Sequence, residues 1–273
     1  MPTLLSDQII IALGAIIILA AISSGFWSYI TYKNSPDTTL VNSGVSDITL
    51  RPADLILFTI LILFYGTKAL SAGISPETNE VTFSSLLFNC GIQIIILCIV
   101  TFRLVSLKKT KDLNLKNIKF STIIGYPLLA YISIVCISII LEQFNYSKLI
   151  SELTGAPLEQ IAVSTLRGTD SLSTIVTLAI SAGLIAPVTE EFLFRGYIYP
   201  ILKKSLGMKL AMVLSALLFG IVHASLVPLL PLTILGLLFA ILYEKCNTIW
   251  APIMAHAIFN NITLLAILYA RNI

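Results

Sequence analysis

The composition of this 273-residue chain excludes an ordinary water-soluble domain. Apolar residues occupy 57% of the positions and charged residues 11%, whereas soluble domains average about 45 to 50% and about 25%. The mean hydropathy is +0.95, and a net charge of +3 is too small to indicate a nucleic-acid partner. The composition therefore predicts a protein embedded in membrane lipid. No CxxC pair occurs among Cys90, Cys98, Cys136 and Cys246, which argues against a disulfide framework or a zinc knuckle.

The apolar runs predict an all-α fold, a polytopic membrane bundle of about eight transmembrane helices. A helix needs roughly 20 apolar residues to cross the bilayer, whereas barrel strands would alternate apolar and polar residues in segments of about 10. No basic residue precedes the first run, so we expect a permanent span there and no cleaved signal peptide. The predicted spans are 8–32, 53–72, 84–105, 120–144, 172–202, 209–225, 226–244 and 248–270.

The distribution of basic residues predicts the orientation of the chain. The loop that follows the third span is rich in lysine and should be cytoplasmic by the positive-inside rule. Alternating spans then place twelve basic residues inside and both termini outside, in a prokaryotic cell membrane. The basic residues left outside are Lys68, Lys148, Arg167 and Arg271.

Ionisable residues inside the apolar segments mark the candidate site, because such residues are expensive in hydrocarbon and often functional. Glu190 and Glu191 are adjacent in the fifth span. Arg195 lies four residues after Glu191, so these two side chains share a helical face and can neutralise each other as a supporting ion pair. Glu190 points about 100° away and is the stronger candidate for chemistry. The alternative is that both carboxylates lie near an interface and snorkel to water.

The two histidines of the chain, His223 and His256, both lie deep in apolar runs. Phe219 precedes His223 by four residues, and Asn260 follows His256 by four, so each pair shares a helical face. The aromatic ring can restrict the rotamer of one imidazole, and the amide can orient the other or bind a substrate carbonyl. A structural hydrogen bond to a neighbouring helix is the alternative for a single buried histidine.

A carboxylate and two imidazoles at similar depth favour activation of a water molecule. Glu190 could be the general base, with a histidine polarising the same water. Alternatively, Glu190, His223 and His256 could bind a divalent metal such as zinc, with an open position for water. Asn260 is then a candidate donor to the oxyanion. The residues leave both chemistries open.

These residues carry a resemblance to a known family. Glu190-Glu191-x-x-x-Arg195, Phe219-x-x-x-His223 and His256-x-x-x-Asn260 resemble the three motifs of the CAAX prenyl protease and bacteriocin-processing (CPBP, Abi or Rce1-like) intramembrane proteases. The resemblance covers about residues 120–270 and divides the chain into N-terminal helices without a motif, 1–119, and a protease core, 120–273. It implies that Glu190 and His223 activate water, that His256 and Asn260 complete the site, and that Glu191 and Arg195 support it.

The resemblance implies hydrolysis of a peptide bond in a membrane-anchored or hydrophobic peptide, such as a prenylated CAAX-type or bacteriocin-like substrate. It leaves open a metallopeptidase and a metal-free glutamate mechanism. The alternative function is a non-catalytic membrane scaffold or bacteriocin self-immunity protein that retains the fold. An ion or proton transporter, which could also use Glu and His chains, would be expected to show repeated, broken halves, and the sequence has none.

Overall fold

The computed structural model describes residues 82–106 and 119–271 of the chain. These residues fold as helices without a strand, which confirms the predicted all-α class. The helices are α1 (Phe83–Ser106), α2 (Ser121–Gln143), α3 (Tyr146–Thr154), α4 (Ile161–Gly168), α5 (Leu172–Lys204), α6 (Met208–Ile221), α7 (Leu229–Cys246) and α8 (Trp250–Ala270).

Five of these helices, α1, α2, α5, α7 and α8, are long and apolar enough to cross a membrane. They confirm a polytopic membrane bundle. The predicted spans 8–32 and 53–72 lie outside the described residues, so the total of eight stays a prediction. The predicted break between the sixth and seventh spans differs from the structure, because α6 ends at Ile221 and α7 begins at Leu229. The prediction divided residues 222–228 between the two spans, whereas they form the loop between these helices.

Two short helices, α3 and α4, fill the connection between α2 and α5, where the sequence analysis predicted no element. Asn145 precedes α3 and Gly155 ends it, each with a left-handed backbone conformation, which glycine adopts without strain and asparagine tolerates. Ala156 then packs with Leu226 and Val227 in a small apolar cluster. Helix α3 therefore lies against the loop between α6 and α7.

Contacts between helices define the two ends of the bundle. At one end, Lys203 pairs with Glu244 at 2.7 Å, and the Lys245 ammonium lies 4.6 Å from the centroid of the Tyr126 ring. We call this the basic end, and its basic residues among those described are Arg103, Lys119, Lys203, Lys204, Lys209 and Lys245.

The opposite end, which we call the capped end, holds α3, α4 and the loop 222–228. There Arg271 donates one hydrogen bond to the Leu166 carbonyl oxygen at 2.9 Å and another to the Asp170 carboxylate at 2.8 Å. These bonds join the end of α8 to the segment that precedes α5. The capped end is thus closed by short elements, while the basic end consists of the ends of long helices.

Helix α5 is the centre of the packing. Every residue from Glu191 to Leu202 is buried, so this part of the helix is enclosed on all sides, which is the pattern of a helix in the interior of a bundle. Helix α1 packs against it, and the Leu104 side chain would lie 3.2 Å from a Cβ atom at Gly196. In this part of α5 the side chains therefore point toward neighbouring helices rather than toward lipid.

Candidate active site

Two π-helical turns flank the Glu190-Glu191 pair in α5. Ser181–Ile185 and Phe192–Ile198 are π-helical, and the α-helical segment Ala186–Glu191 lies between them. Proline at position 187 removes one backbone donor at the start of this segment. Wide turns of this kind occur often at functional sites, because they change the direction of side chains and carbonyl groups. The sequence analysis did not predict them.

Glu191 and Arg195 form an ion pair that is completely buried. An Arg195 guanidinium nitrogen donates to Glu191 Oε1 at 2.9 Å, and both side chains are 0% exposed. The second terminal nitrogen of Arg195 donates to the Gly236 carbonyl oxygen at 2.7 Å. The pair thus ties α5 to α7 through a backbone group, in addition to neutralising two buried charges.

Aromatic rings surround the Arg195 guanidinium. Its carbon atom lies 4.8 Å from the ring centroid of Phe219, 5.3 Å from that of Phe239 and 5.8 Å from that of Phe194. Distances below about 6 Å allow cation–π attraction, which is stronger where water is excluded. The cation is therefore held by a carboxylate, a carbonyl and three rings.

His256 joins this buried cluster through Glu191. Its Nδ1 lies 3.1 Å from Glu191 Oε1, and its ring stacks on Phe239 with centroids 5.0 Å apart. Because the carboxylate can only accept, the hydrogen of a neutral His256 ring resides on Nδ1 and leaves Nε2 as the basic nitrogen. The sequence analysis grouped His256 with Glu190, whereas the carboxylate that it contacts is that of Glu191.

Glu190 and His223 form a second pair, which is partly exposed. His223 Nε2 lies 3.8 Å from Glu190 Oε2, with 22% and 15% of the two side chains exposed. Glu190 Oε2 has no hydrogen-bond partner among the described residues. The separation is too long for a direct hydrogen bond, yet both atoms can reach one water molecule. The pair is thus separate from the Glu191–Arg195 pair in both contacts and exposure.

The backbone sets the tautomer of His223. Its Nδ1 lies 2.7 Å from the Phe219 carbonyl oxygen, and this oxygen can only accept, so Nδ1 carries the hydrogen. Nε2 of the neutral ring is then an acceptor that faces Glu190. Phe219 also restricts the ring itself, with centroids 5.0 Å apart, and contacts the His256 ring at 5.6 Å. Phe219 thus lies against both imidazoles.

Asn260 and Asn261 connect α8 to the first π-helical turn of α5. Asn260 Nδ2 donates to the Ala182 carbonyl oxygen at 2.7 Å, and Asn261 Nδ2 donates to the Gly183 carbonyl oxygen at 2.9 Å. A Cβ atom at Gly183 would lie 2.5 Å from the Asn261 oxygen, so a larger residue at this position would displace the Asn261 side chain. The Asn260 amide uses one hydrogen for its bond to α5, and its other hydrogen can bond to a ligand.

A catalytic zinc site needs three protein ligands that converge on one point. Glu190 and His223 could supply two of them, and Nε2 of His256 would be the third donor, because Nδ1 of that ring is held by Glu191 as in many ligating histidines. Within residues 82–106 and 119–271, no group of three or more His, Cys, Asp or Glu side chains is arranged to hold a metal ion. Metal binding by Glu190, His223 and His256 stays a prediction.

Two residues of the site were not singled out from the sequence. Gly236 supplies a carbonyl to Arg195, and Phe239 stacks on His256. The sequence feature that indicates Gly236 is its spacing of four residues from Ala240 on α7, because two small residues at this spacing allow another helix to approach closely. A Cβ atom at Gly236 would lie 3.1 Å from Ala216 Cα. Phe239 carries no signal, because one phenylalanine in an apolar helix resembles any other.

The chain is similar to a protein family and to a curated protein. Residues 172–262 match the family of type II CAAX prenyl endopeptidases, Rce1-like. Over 96 residues the chain is 34% identical to the Bacillus subtilis (strain 168) protein named "Putative membrane peptidase YdiL". Glu190, His223, His256 and Asn260 all lie within the family match.

The match to YdiL covers 35% of this chain and 39% of the relative. This chain thus matches well under two thirds of the length of that relative, and the activity of the whole relative does not transfer with the match. No solved structure matches the chain.

Proposed function

We propose that this chain is an intramembrane endopeptidase, because residues 172–262, which contain the candidate site, are similar to the Rce1-like CAAX prenyl endopeptidases. Glu190 and His223 would activate a water molecule for attack on a peptide bond of a membrane-associated substrate. The observation that carries this proposal is the facing pair of Glu190 Oε2 and His223 Nε2 at 3.8 Å, on partly exposed side chains, together with the lack of any hydrogen-bond partner for the buried Glu190 Oε2 among the described residues.

A water molecule between these two atoms would donate one hydrogen bond to each of them, because the carboxylate oxygen and the unprotonated Nε2 are both acceptors. Its oxygen lone pairs would then point away from both groups and toward a substrate. When the oxygen attacks the peptide carbonyl carbon, Glu190 takes the proton, which is general-base catalysis. Transfer of that proton to the leaving amine nitrogen would complete cleavage.

The buried cluster of Glu191, Arg195 and His256 would position the chemistry. Its ion pair fixes α5 against α7, and Phe219 transmits that packing to the ring of His223 through direct ring contact. The second amide hydrogen of Asn260 is the remaining donor that could bind a substrate carbonyl or its oxyanion, whereas the unprotonated Nε2 of His256 could accept a hydrogen bond from a substrate N–H. A geometry held to within about half an ångström is what such sites need.

The substrate would be a hydrophobic or lipid-anchored peptide, since the site lies within helices that cross a membrane. Prenylated CAAX-type and bacteriocin-like peptides both have this character. The chemistry of the pair requires only that the scissile carbonyl reach Glu190 and His223, and it therefore sets no requirement for a particular lipid.

The test is the appearance of new peptide termini. Purified full-length protein in lipid vesicles is incubated with a library of membrane-derived peptides, and the products are identified by mass spectrometry. Glu190→Gln keeps the shape of the side chain but cannot take a proton, so we expect turnover to fall by at least about 100-fold, the usual scale for loss of a general base.

Glu152→Gln is the matched control, because Glu152 is an exposed carboxylate in α3 whose contact with Lys148 is a loose pair at 3.8 Å. It should cleave as the wild type does. Equal turnover by Glu190→Gln and wild type would reject the mechanism. Absence of cleavage by the wild type, together with a cellular phenotype that Glu190→Gln still supports, would favour the scaffold or immunity function.

A further inference from the structure

Two consecutive asparagines of α8 hold α5 just before the residues of the site. We propose that Asn260 and Asn261 are positioning residues, whose side-chain amides replace the backbone donor that Pro187 lacks. The two amides thereby fix the turn of α5 that presents Glu190 to His223. The replacement of the donor stands on hydrogen-bond geometry, and only its effect on catalysis rests on the proposed function.

Pro187 interrupts the backbone hydrogen bonds of α5 at the end of the first π-helical turn. The Ala186 N–H bonds to the Ser181 carbonyl oxygen, five residues earlier. In the same register the next amide would bond to the Ala182 carbonyl, and in an ordinary α-helix it would bond to that of Gly183. Proline has no N–H, so it can serve neither carbonyl. In membrane helices, side chains of neighbouring helices often satisfy the backbone groups that a proline releases.

The amides of α8 bond to these same two carbonyls. Asn260 Nδ2 donates to the Ala182 oxygen at 2.7 Å, and Asn261 Nδ2 donates to the Gly183 oxygen at 2.9 Å. Each bond joins positions that are 78 residues apart, so consecutive amides serve consecutive carbonyls. The side chains thus supply donors at the two places where Pro187 supplies none.

Asn261 uses both of its amide hydrogens within the protein. Its Nδ2 also donates to the Ala257 carbonyl oxygen of its own helix at 2.8 Å, and a side-chain amide has two hydrogens. The side chain is exposed near the middle of an apolar helix, where polar side chains serve to bond across helices. Its contacts therefore assign it to the attachment of α5, and leave no hydrogen for a substrate.

The two amides favour the π-helical turn over an α-helical one. In an uninterrupted α-helix, Pro187 would leave only the Gly183 carbonyl without a backbone donor, whereas the π turn leaves the Ala182 carbonyl unpaired as well. The asparagine bonds remove this disadvantage, because both carbonyls then have a donor. Loss of either amide should shift α5 toward the α-helical register.

Such a shift would reach the site as a rotation. His256, four residues before Asn260 on α8, contacts Glu191 Oε1 at 3.1 Å, so α8 holds α5 at two levels. Loss of the π turn would rotate the following residues of α5 relative to the preceding ones by about 100°, the angle of one residue. Glu190 could not then face His223 while α5 kept its bonds to α8.

The experiment restores the missing donor. Asn260→Leu and Asn261→Leu each remove one amide and keep the branching of the side chain, and each is made alone and together with Pro187→Ala. Pro187→Ala adds one backbone N–H, which can reach one of the two carbonyls. Thr263→Val is the control on the same helix, because the Thr263 hydroxyl bonds within α8, to the Phe259 carbonyl oxygen at 2.8 Å.

Two measurements are made on the full-length protein in detergent. The chain has two histidines, His223 and His256, so NMR of protein labelled at the histidine nitrogens resolves each imidazole, and the Nδ1–H of His256 reports its bond to Glu191. The second measurement is kcat and KM for a peptide that the wild type cleaves. The first does not depend on peptidase activity.

We expect each asparagine variant to shift the His256 signal and to lower kcat by about 100-fold with little change in KM, since a displacement of about 1 Å can cost this much. Pro187→Ala should restore the signal and kcat in the variant whose carbonyl its N–H reaches. Thr263→Val should match the wild type. If an asparagine variant fails to accumulate, its recovery in the Pro187→Ala background is the expected result.

Failure of Pro187→Ala to rescue either asparagine variant would overturn the inference, and so would an unchanged His256 signal in both. Loss of turnover in Asn260→Leu with an unchanged His256 signal would assign this amide to substrate binding and overturn its positioning role. A shifted and restored His256 signal, with no cleavage of any peptide by the wild type, would support the replacement of the donor and reject the proposed peptidase.

Discussion

Replacement of Glu191 by glutamine should destabilise the protein, because it removes the negative charge that faces Arg195. Both side chains are 0% exposed, and the pair is 2.9 Å apart. In Glu191→Gln the guanidinium keeps the Gly236 carbonyl and the three aromatic rings, and it can still donate to the amide oxygen. Its charge, however, is no longer compensated in a site that excludes water.

The magnitude follows from the burial of the pair. Removal of one partner of a buried ion pair costs about 3 to 5 kcal/mol, and we expect the lower part of this range because glutamine preserves one hydrogen bond. The exposed pair of Lys148 and Glu152, at 3.8 Å with 73% and 64% of the side chains exposed, provides the control. Glu152→Gln should change stability by less than about 1 kcal/mol.

The assay is thermal unfolding of the purified protein in detergent, followed by the fraction that remains monodisperse on size exclusion. A double variant, Glu191→Gln with Arg195→Met, tests the cause, because it removes the uncompensated charge. Its loss of stability should be smaller than the sum of the two single losses, since contacting residues couple. Arg195→Met alone should be destabilising, since it leaves Glu191 without its cation.

A Glu191→Gln protein that melts with the wild type would refute the reasoning, and so would strictly additive losses in the double variant. Either result would mean that the two charges contribute independently to stability. The ion pair of Glu191 and Arg195 would then not be what holds α5 against α7.

Three further outcomes test other parts of the site. Gly236→Ala should lower the free energy of unfolding by about 1 to 3 kcal/mol, because the added methyl group would meet the backbone of Ala216. The same melts measure this loss. Unchanged stability would show that α6 and α7 can separate freely. His223→Ala should reduce turnover by at least about 100-fold with little change in melting, and retained turnover would contradict its role beside Glu190. Peptide cleavage should persist in a chelator series, whereas activity that vanishes and returns with added zinc would favour the metal mechanism.

The sequence predicts local relations at this site better than distant ones. Glu191 and Arg195 are four residues apart on one helix, so their proximity follows from helical geometry alone. The partner of His256 does not follow, because it is 65 positions from Glu191 in sequence and two adjacent carboxylates were available to it. Only the rotation of α5 relative to α8 decides between them, and that rotation depends on packing across the whole bundle.

The elements that escaped prediction are turns inside one apolar helix and short helices of mixed polarity. The turn Phe192–Ile198 is buried on all sides, and the exposed residue of the turn Ser181–Ile185 is the apolar Leu184, so no polar face reveals a change of period in either turn. Helix α3 is short and of mixed polarity, although Gly155 at its end is a signal for a helix C-terminus. The five long apolar helices, α1, α2, α5, α7 and α8, were predictable, because length and composition alone specify a span.

The π-helical turn Phe192–Ile198 makes the length of α5 as important as its composition. A π turn winds an additional residue into the helix, and one residue corresponds to about 100° of rotation. If one residue were deleted there and Glu190 kept its position facing His223, Lys203 would therefore be rotated away from Glu244. The distance in sequence between the site and the basic end is thus fixed to a single residue, although many side chains along this helix could be exchanged.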